Sequence, residues 1–103
     1  VTVVFCDLVG STAIAERLDP EVYRDLLDEY VALAFHEIYR FEGIVNQLSG
    51  DGLMALFGAP IAHEDAPQRA LWAALGILEA LDKLARRVRD ERGIELQARI
   101  GVH

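Results

Sequence analysis

The sequence predicts an α+β fold, a sheet with helices packed on one of its faces, from three observations. Short segments of strand character occupy both ends and the middle of the chain. Two long stretches between them carry apolar residues at spacings of three and four, the period of a half-buried helix. Gly, Pro and Asp cluster where one period gives way to the next.

The first strand is expected over 1–5, from a β-branched and aromatic run that carries Asp7 to its C-terminal end. Gly10, Ser11 and Thr12 then turn the chain into a short helix, 13–18. Asp19-Pro20 opens a longer one, because Asp caps helices and Pro suits the first helical position. Val22, Leu26, Tyr30, Leu33, Ala34, Ile38 and Phe41 give it one apolar face over about 20–42, and Gly43 is expected to stop it. Residues 44–49 and 53–57 read as a β-hairpin turned by Gly50-Asp51-Gly52. The second arm is nearly all apolar and is expected to be central and covered on both faces, with Met54 as core filler. After a loop to Asp65, a third helix runs to Arg92 and Gly93, with Ala70, Leu71, Ala74, Leu78, Leu81, Ala85 and Val88 as its buried face. Lys83, Arg86, Arg87, Arg89 and Arg92 suit the negative end of that helix and read as a solvated face. A last strand, 96–102, alternates apolar and polar residues. The order β-αα-β-β-α-β is that of a ferredoxin-like split βαβ sheet, with antiparallel neighbours and one face left open.

Composition narrows the function classes. The chain of 103 residues, 52% hydrophobic and 26% charged, is one globular unit without repeats or low-complexity tracts. A formal net charge of −7 argues against a grip on nucleic acid or anionic lipid, both of which rely on Lys and Arg. No apolar run approaches the roughly 20 residues of a membrane span, and the segment is expected to be cytoplasmic and soluble. Cys6 stands alone, so no disulfide framework forms, and it reads as a small buried strand residue. A chain that opens in one strand and closes in another is expected to be part of a longer protein.

The first strand and its turn form a candidate site for a metal-bound phosphate. Carboxylate oxygen suits Mg²⁺, and small residues opening a helix expose N–H groups to an anion. Such a turn also opens helices that bind nothing. Asp51 adds a second carboxylate. In a ferredoxin-like sheet the first and third strands are central neighbours, which brings Asp51 beside Asp7, and two such charges repel unless a divalent cation holds them. Alternation in the last strand puts Arg99 on the open face with Asp7.

These residues resemble a known family. Phe5-Cys6-Asp7-Leu8-Val9-Gly10-Ser11-Thr12, then Ser49-Gly50-Asp51-Gly52-Leu53-Met54-Ala55-Leu56-Phe57-Gly58, then Arg99-Ile100-Gly101-Val102-His103 are similar in order and spacing to the catalytic domain of class III adenylyl/guanylyl cyclases. The segment Ala59-Pro60-Ile61-Ala62-His63-Glu64-Asp65-Ala66 resembles the bacterial members. The resemblance implies that residues 1–103 are the N-terminal part of such a domain. It implies that Asp7 and Asp51, with the backbone carbonyl of Leu8, hold two Mg²⁺ or Mn²⁺ ions. Groups around Gly10 and Ser11, the Thr12 hydroxyl and the Arg99 guanidinium would bind the triphosphate of ATP, or of GTP. The product would be a 3′,5′-cyclic nucleotide, with pyrophosphate leaving. Gln47 stands where adenylyl cyclases often carry Lys and guanylyl cyclases Glu, and an amide with both a donor and an acceptor serves either purine.

In the family, the second base-reading residue and the Asn and Arg that stabilise the transition state lie beyond the Arg-Ile-Gly-Val-His strand and act across a head-to-tail homodimer. The resemblance therefore implies an active full-length homodimer, paired through the open sheet face, and an inactive isolated segment. A different reading keeps the domain for dimerisation or nucleotide sensing without catalysis. Two other enzyme classes fit less well. A diguanylate cyclase carries Glu where Gly52 stands, and an aspartyl-phosphate phosphatase needs an acid where Val9 stands.

Overall fold

A computed structural model describes all 103 residues. The elements run β1 (Thr2–Leu8), α1 (Ser11–Arg17), α2 (Pro20–Arg40), β2 (Ile44–Ser49), β3 (Gly52–Phe57), α3 (Ala66–Arg92) and β4 (Ala98–Val102). The strands lie in the order β2-β3-β1-β4, and every neighbouring pair is antiparallel. This is the split βαβ sheet expected from the sequence, with β1 and β3 central.

Alternation along β1 sorts the two faces of the sheet. Val4, Cys6 and Leu8 are buried beneath the helices, whereas Phe5 and Asp7 are exposed on the other side. Tyr30 and Ile38 of α2, Ile77 of α3 and Phe57 of β3 are fully buried in the same layer. Each such side chain stabilises the fold by about 1.5–3 kcal/mol relative to exposure.

Four expectations need correction. Helix α1 begins at Ser11, not Ala13, because Gly10 takes the left-handed conformation (φ 66°) and its carbonyl accepts the Ile14 N–H (3.1 Å). The second concerns the end of α2. It closes at Arg40, and the left-handed position after it is filled by Glu42 (φ 66°), not by Gly43. Gly43 is small for another reason: a Cβ there would lie 2.5 Å from the Phe57 ring. Left-handed Glu42 is strained by about 1 kcal/mol or more; its carboxylate pairs with the Arg69 guanidinium (3.0 Å) and lies 3.3 Å from His63 Nε2, which links it to the 58–65 loop.

Third, β3 is covered on one face only. Leu53, Ala55 and Phe57 are buried, but Met54 and Leu56 point to the open side and stay half-buried, because no second layer packs there. The turn before β3 is Gly50-Asp51, since Gly52 already pairs with Ser49. Fourth, α3 turns Ala70, Ala73, Ala74, Ile77, Leu81, Leu84 and Val88 inward, leaving Leu71 and Leu78 exposed with Leu75. Gly76, Ala80 and Lys83 line the groove toward α2. A period of 3.6 residues then puts Leu71, Leu75 and Leu78 on the opposite flank.

Candidate active site

The end of β1 is stitched on both sides. In register, Asp7 stands opposite Gly52 of β3 and Arg99 of β4. Past the strand, the Leu8 N–H donates to the Asp51 carbonyl (2.9 Å) and the Val9 N–H donates to the Gln97 carbonyl (2.9 Å). These bonds bring the hairpin tip with Asp51, the turn with Gly10, and the start of β4 to one edge of the sheet. Asp7, Asp51 and Arg99, distant in sequence, converge as expected.

Gly52 is what allows the closeness. A Cβ at that position would lie 2.9 Å from the Cys6 carbonyl oxygen and 3.0 Å from the Asp7 Cβ, tighter than atoms pack without displacement. Any larger residue would push the hairpin away from Asp7. The sequence shows the glycine, but its role emerges only once the register places it across from Asp7.

Each aspartate has its own partner. Arg99 Nε lies 3.6 Å from Asp7 Oδ1, and both side chains are more than half exposed. An ion pair so open to water contributes at most about 1 kcal/mol. Asp51 is held more firmly, because the Ser11 hydroxyl donates to its Oδ2 at 2.7 Å in a partly buried setting. This bond from the first residue of α1 was not legible in the sequence, where Ser11 reads as part of a phosphate turn. The two carboxylates thus have different partners, a neutral hydroxyl at Asp51 and a cation at Asp7.

The remaining expected residues spread around this edge. Leu8 is buried, so only its main chain faces the site, and Thr12 is exposed without a hydrogen-bond partner. Gln47 is exposed on the open face opposite Met54. Across Met54 it stands in register with Phe5, two strands away from β1 and two residues along from Asp7. Phe5, Asp7, Gln47, Gly52 and Met54 share the lining of a hollow of about 210 Å³. A larger groove of about 720 Å³ runs between α2 and α3, on the far side of the sheet from these carboxylates. Its charges are mixed, Glu29, Glu37 and Glu79 facing Arg40, Lys83 and Arg87, and they converge on no single point.

Beneath Asp7, on the closed face, the Tyr30 hydroxyl and the Cys6 sulfur are hydrogen-bonded at 3.1 Å. Burial pushes the Cys6 thiol above its ordinary value, with the Asp7 charge adding to it. Burial also raises the Tyr30 phenol strongly, helped by its bond to Cys6 and by the fields of Asp7 and Asp51. Both groups stay protonated under the site, and Cys6 is structural, as the sequence suggests.

The donor set suits a hard cation. Asp7 and Asp51 offer carboxylate oxygens, with main-chain carbonyls nearby, and no third acid, His or Cys joins them into a larger cluster. Oxygens from a phosphate ligand would complete the coordination of an ion held there.

Comparison with known proteins matches the whole chain, residues 1–103, to the adenylate and guanylate cyclase catalytic domain. Adenylate cyclase 1 of Rhizobium meliloti is 30% identical over 103 residues, all of this chain and 16% of that protein. The structure of the guanylyl cyclase Cya2 superposes with a TM-score of 0.89 at 30% identity, covering 98% of this chain and 51% of that one. The adenylyl cyclase CyaB from P. aeruginosa gives 0.91 at 25% identity, over 98% and 53%. The chain therefore spans about half the length of the solved cyclase chains it matches, and 10–17% of the curated relatives.

Proposed function

We propose, for a chain that belongs to the adenylate and guanylate cyclase catalytic domain family, that it supplies the metal and triphosphate half of a nucleotide cyclase site with ATP as substrate. The observation that carries this reading is the meeting of Asp7, Asp51 and Arg99 at one sheet edge, with Arg99 directly opposite Asp7 in register.

In this reading Asp7 and Asp51, with the Leu8 carbonyl, hold two divalent cations, Mg²⁺ or Mn²⁺. Such ions neutralise the triphosphate and lower the pKa of the ribose 3′-hydroxyl. Arg99 turns its guanidinium from Asp7 to the phosphates, where forked, charge-assisted hydrogen bonds suit the oxygens. Main-chain N–H groups at Gly10 and Ser11 and the hydroxyl of Thr12 line the same side. The 3′-oxygen attacks the α-phosphorus in line, and pyrophosphate leaves.

The open face is the natural seat of a partner. Phe5 (46% exposed) and Ile44 (36% exposed) stand there with half-buried Met54 and Leu56, an apolar patch beside the polar site. A second copy packed on this face would bring its own Gln47 to the nucleotide held by the first. Among related structures, the guanylate cyclase domain of RhGC from Catenaria anguillulae is in complex with GTP, and the catalytic core of a rhodopsin-guanylyl cyclase with converted specificity is in complex with ATPαS, which supports adjustable base choice within this fold.

The test is cyclase activity of the full-length protein with ATP and GTP in parallel, in Mn²⁺ and in Mg²⁺, beside Asp7→Ala and Asp51→Ala. Cyclic AMP formation that both variants abolish is the expected result. Preference for GTP would move the substrate to guanine. Absence of product with either nucleotide would leave a non-catalytic homologue. Wild-type turnover in either variant would overturn the two-metal assignment.

A further inference from the structure

Resting on the metal-site reading above, we propose that the Ser11 hydroxyl is a positioning group that presets the Asp51 carboxylate for its cation. Asp51 sits in a two-residue connection, and a side chain at such a tip ordinarily samples several rotamers. Its neighbour Gly50 has nothing within 4 Å of where a Cβ would stand, so that side of the tip is open. Three hydrogen bonds hold it. The Asp51 carbonyl accepts the Leu8 N–H at 2.9 Å, the Ser49 hydroxyl donates to the Gly52 carbonyl at 3.3 Å, and the Ser11 hydroxyl donates to Asp51 Oδ2 at 2.7 Å. The first two fix the backbone of the tip, and the third fixes the carboxylate itself.

The chemistry of the donor matters. A neutral hydroxyl orients a carboxylate without cancelling its charge, and Oδ1 together with the remaining lone pair of Oδ2 stays available to a cation. Asp7 differs: its partner Arg99 is itself a cation and competes with a metal for the same charge. Asp51 is therefore the preformed ligand of the pair, and Ser11 is the residue that preforms it. The role belongs to the side chain of Ser11, distinct from any contact that its main-chain N–H makes with phosphate.

Mn²⁺ affinity measured by electron paramagnetic resonance on the full-length protein, without nucleotide, tests this directly. Ser11→Ala and Ser11→Gly, both lacking the hydroxyl, are expected to bind Mn²⁺ about three- to tenfold more weakly, the scale of one net hydrogen bond in a partly exposed setting. Ser11→Thr, which keeps the hydroxyl, should stay within about twofold of wild type. The loss of turnover in Ser11→Ala should shrink as Mn²⁺ is raised, because the defect lies in cation binding. A raised KM at saturating Mn²⁺, with Mn²⁺ affinity unaltered, would assign the hydroxyl to phosphate and overturn the proposal. Unaltered Mn²⁺ affinity in Asp51→Asn would bring down the metal-site reading instead, a different result from a Ser11 effect that is merely absent.

Discussion

The two faces of the sheet are built from the same strands by opposite rules. On the closed face Val4, Cys6, Ala55 and Phe57 lie against Tyr30, Ile38 and Ile77, all essentially without exposure. On the open face the residues one step along the same strands, Phe5, Asp7 and Met54, and Arg99 of neighbouring β4 are exposed or half-buried, and the polar ones pair loosely. Stability is concentrated where alternation buries side chains, and chemistry where it leaves them exposed. A strand can serve both because its side chains alternate with a period of two.

The sharpest way to break this division is at the carboxylates. Under the proposed two-metal reading, Asp7→Ala and Asp51→Ala in the full-length protein should lower turnover on the order of 10³-fold, the several kcal/mol that a metal-held charge contributes to a transition state. Denaturant unfolding should move by no more than about 0.5 kcal/mol for exposed Asp7, and by about 1 kcal/mol for Asp51, which loses its bond from Ser11. A large loss of stability in either variant would mean that the open face also supports the fold.

Gly52 tests the border between the two faces. Gly52→Ala places a methyl 2.9 Å from the Cys6 carbonyl oxygen and 3.0 Å from the Asp7 Cβ, and one of the two must move by some tenths of an ångström. Turnover should fall about tenfold through misplacement of the carboxylates, and stability by about 1 kcal/mol. A loss of stability with full activity would show that the hairpin carries no positional demand.

Gly43→Ala probes the closed face alone. The new methyl would lie 2.5 Å from the fully buried Phe57 ring, an overpacking expected to destabilise by about 1–3 kcal/mol. KM and metal affinity of the folded fraction should match wild type. Unchanged stability would mean that the ring has room to shift and that Gly43 is dispensable.

The same division explains what the sequence revealed. Periodicity, with Gly, Pro and Asp at the joins, located the elements, their order, the inward residues of β1 and the centre of the α2 face at Leu26, Tyr30, Ala34 and Ile38, but not buried Glu37. The acids beside Gly turns pointed to Asp7 and Asp51, and the resemblance to class III cyclases added a phosphate role for Arg99; split βαβ topology then brings the three to one edge. What the sequence missed depends on register and on partners across space. Met54 reads as core because an apolar run does not say which face lacks a covering layer. Leu71 and Leu78 read as buried because a broad apolar arc does not say which flank meets the sheet. Gly43 reads as a helix stop, although its space is taken by Phe57, a residue in another element. The bond from Ser11 to Asp51 is of this kind too, since no local pattern joins a helix start to a hairpin tip.

The smallest effect concerns the pair beneath the site. Cys6 and Tyr30 are both held protonated in the fold, with ionisation pushed above the ordinary values of 9.0 and 10.0. Where the unfolded chain releases protons and the folded one does not, stability falls with pH. The contribution is therefore complete below about pH 9 and declines as pH rises past the unfolded Cys and then the unfolded Tyr value. Tyr30→Phe removes the phenol and its bond to Cys6, which should lower stability near neutral pH by about 1 kcal/mol. It should also flatten the loss of stability above about pH 10, leaving only the Cys6 part of the decline. Denaturant unfolding from pH 7 to 11 measures both. Because the phenol lies on the closed face, cyclase activity at neutral pH should be unchanged. An alkaline limb as steep in Tyr30→Phe as in wild type would show that the buried phenol does not govern it.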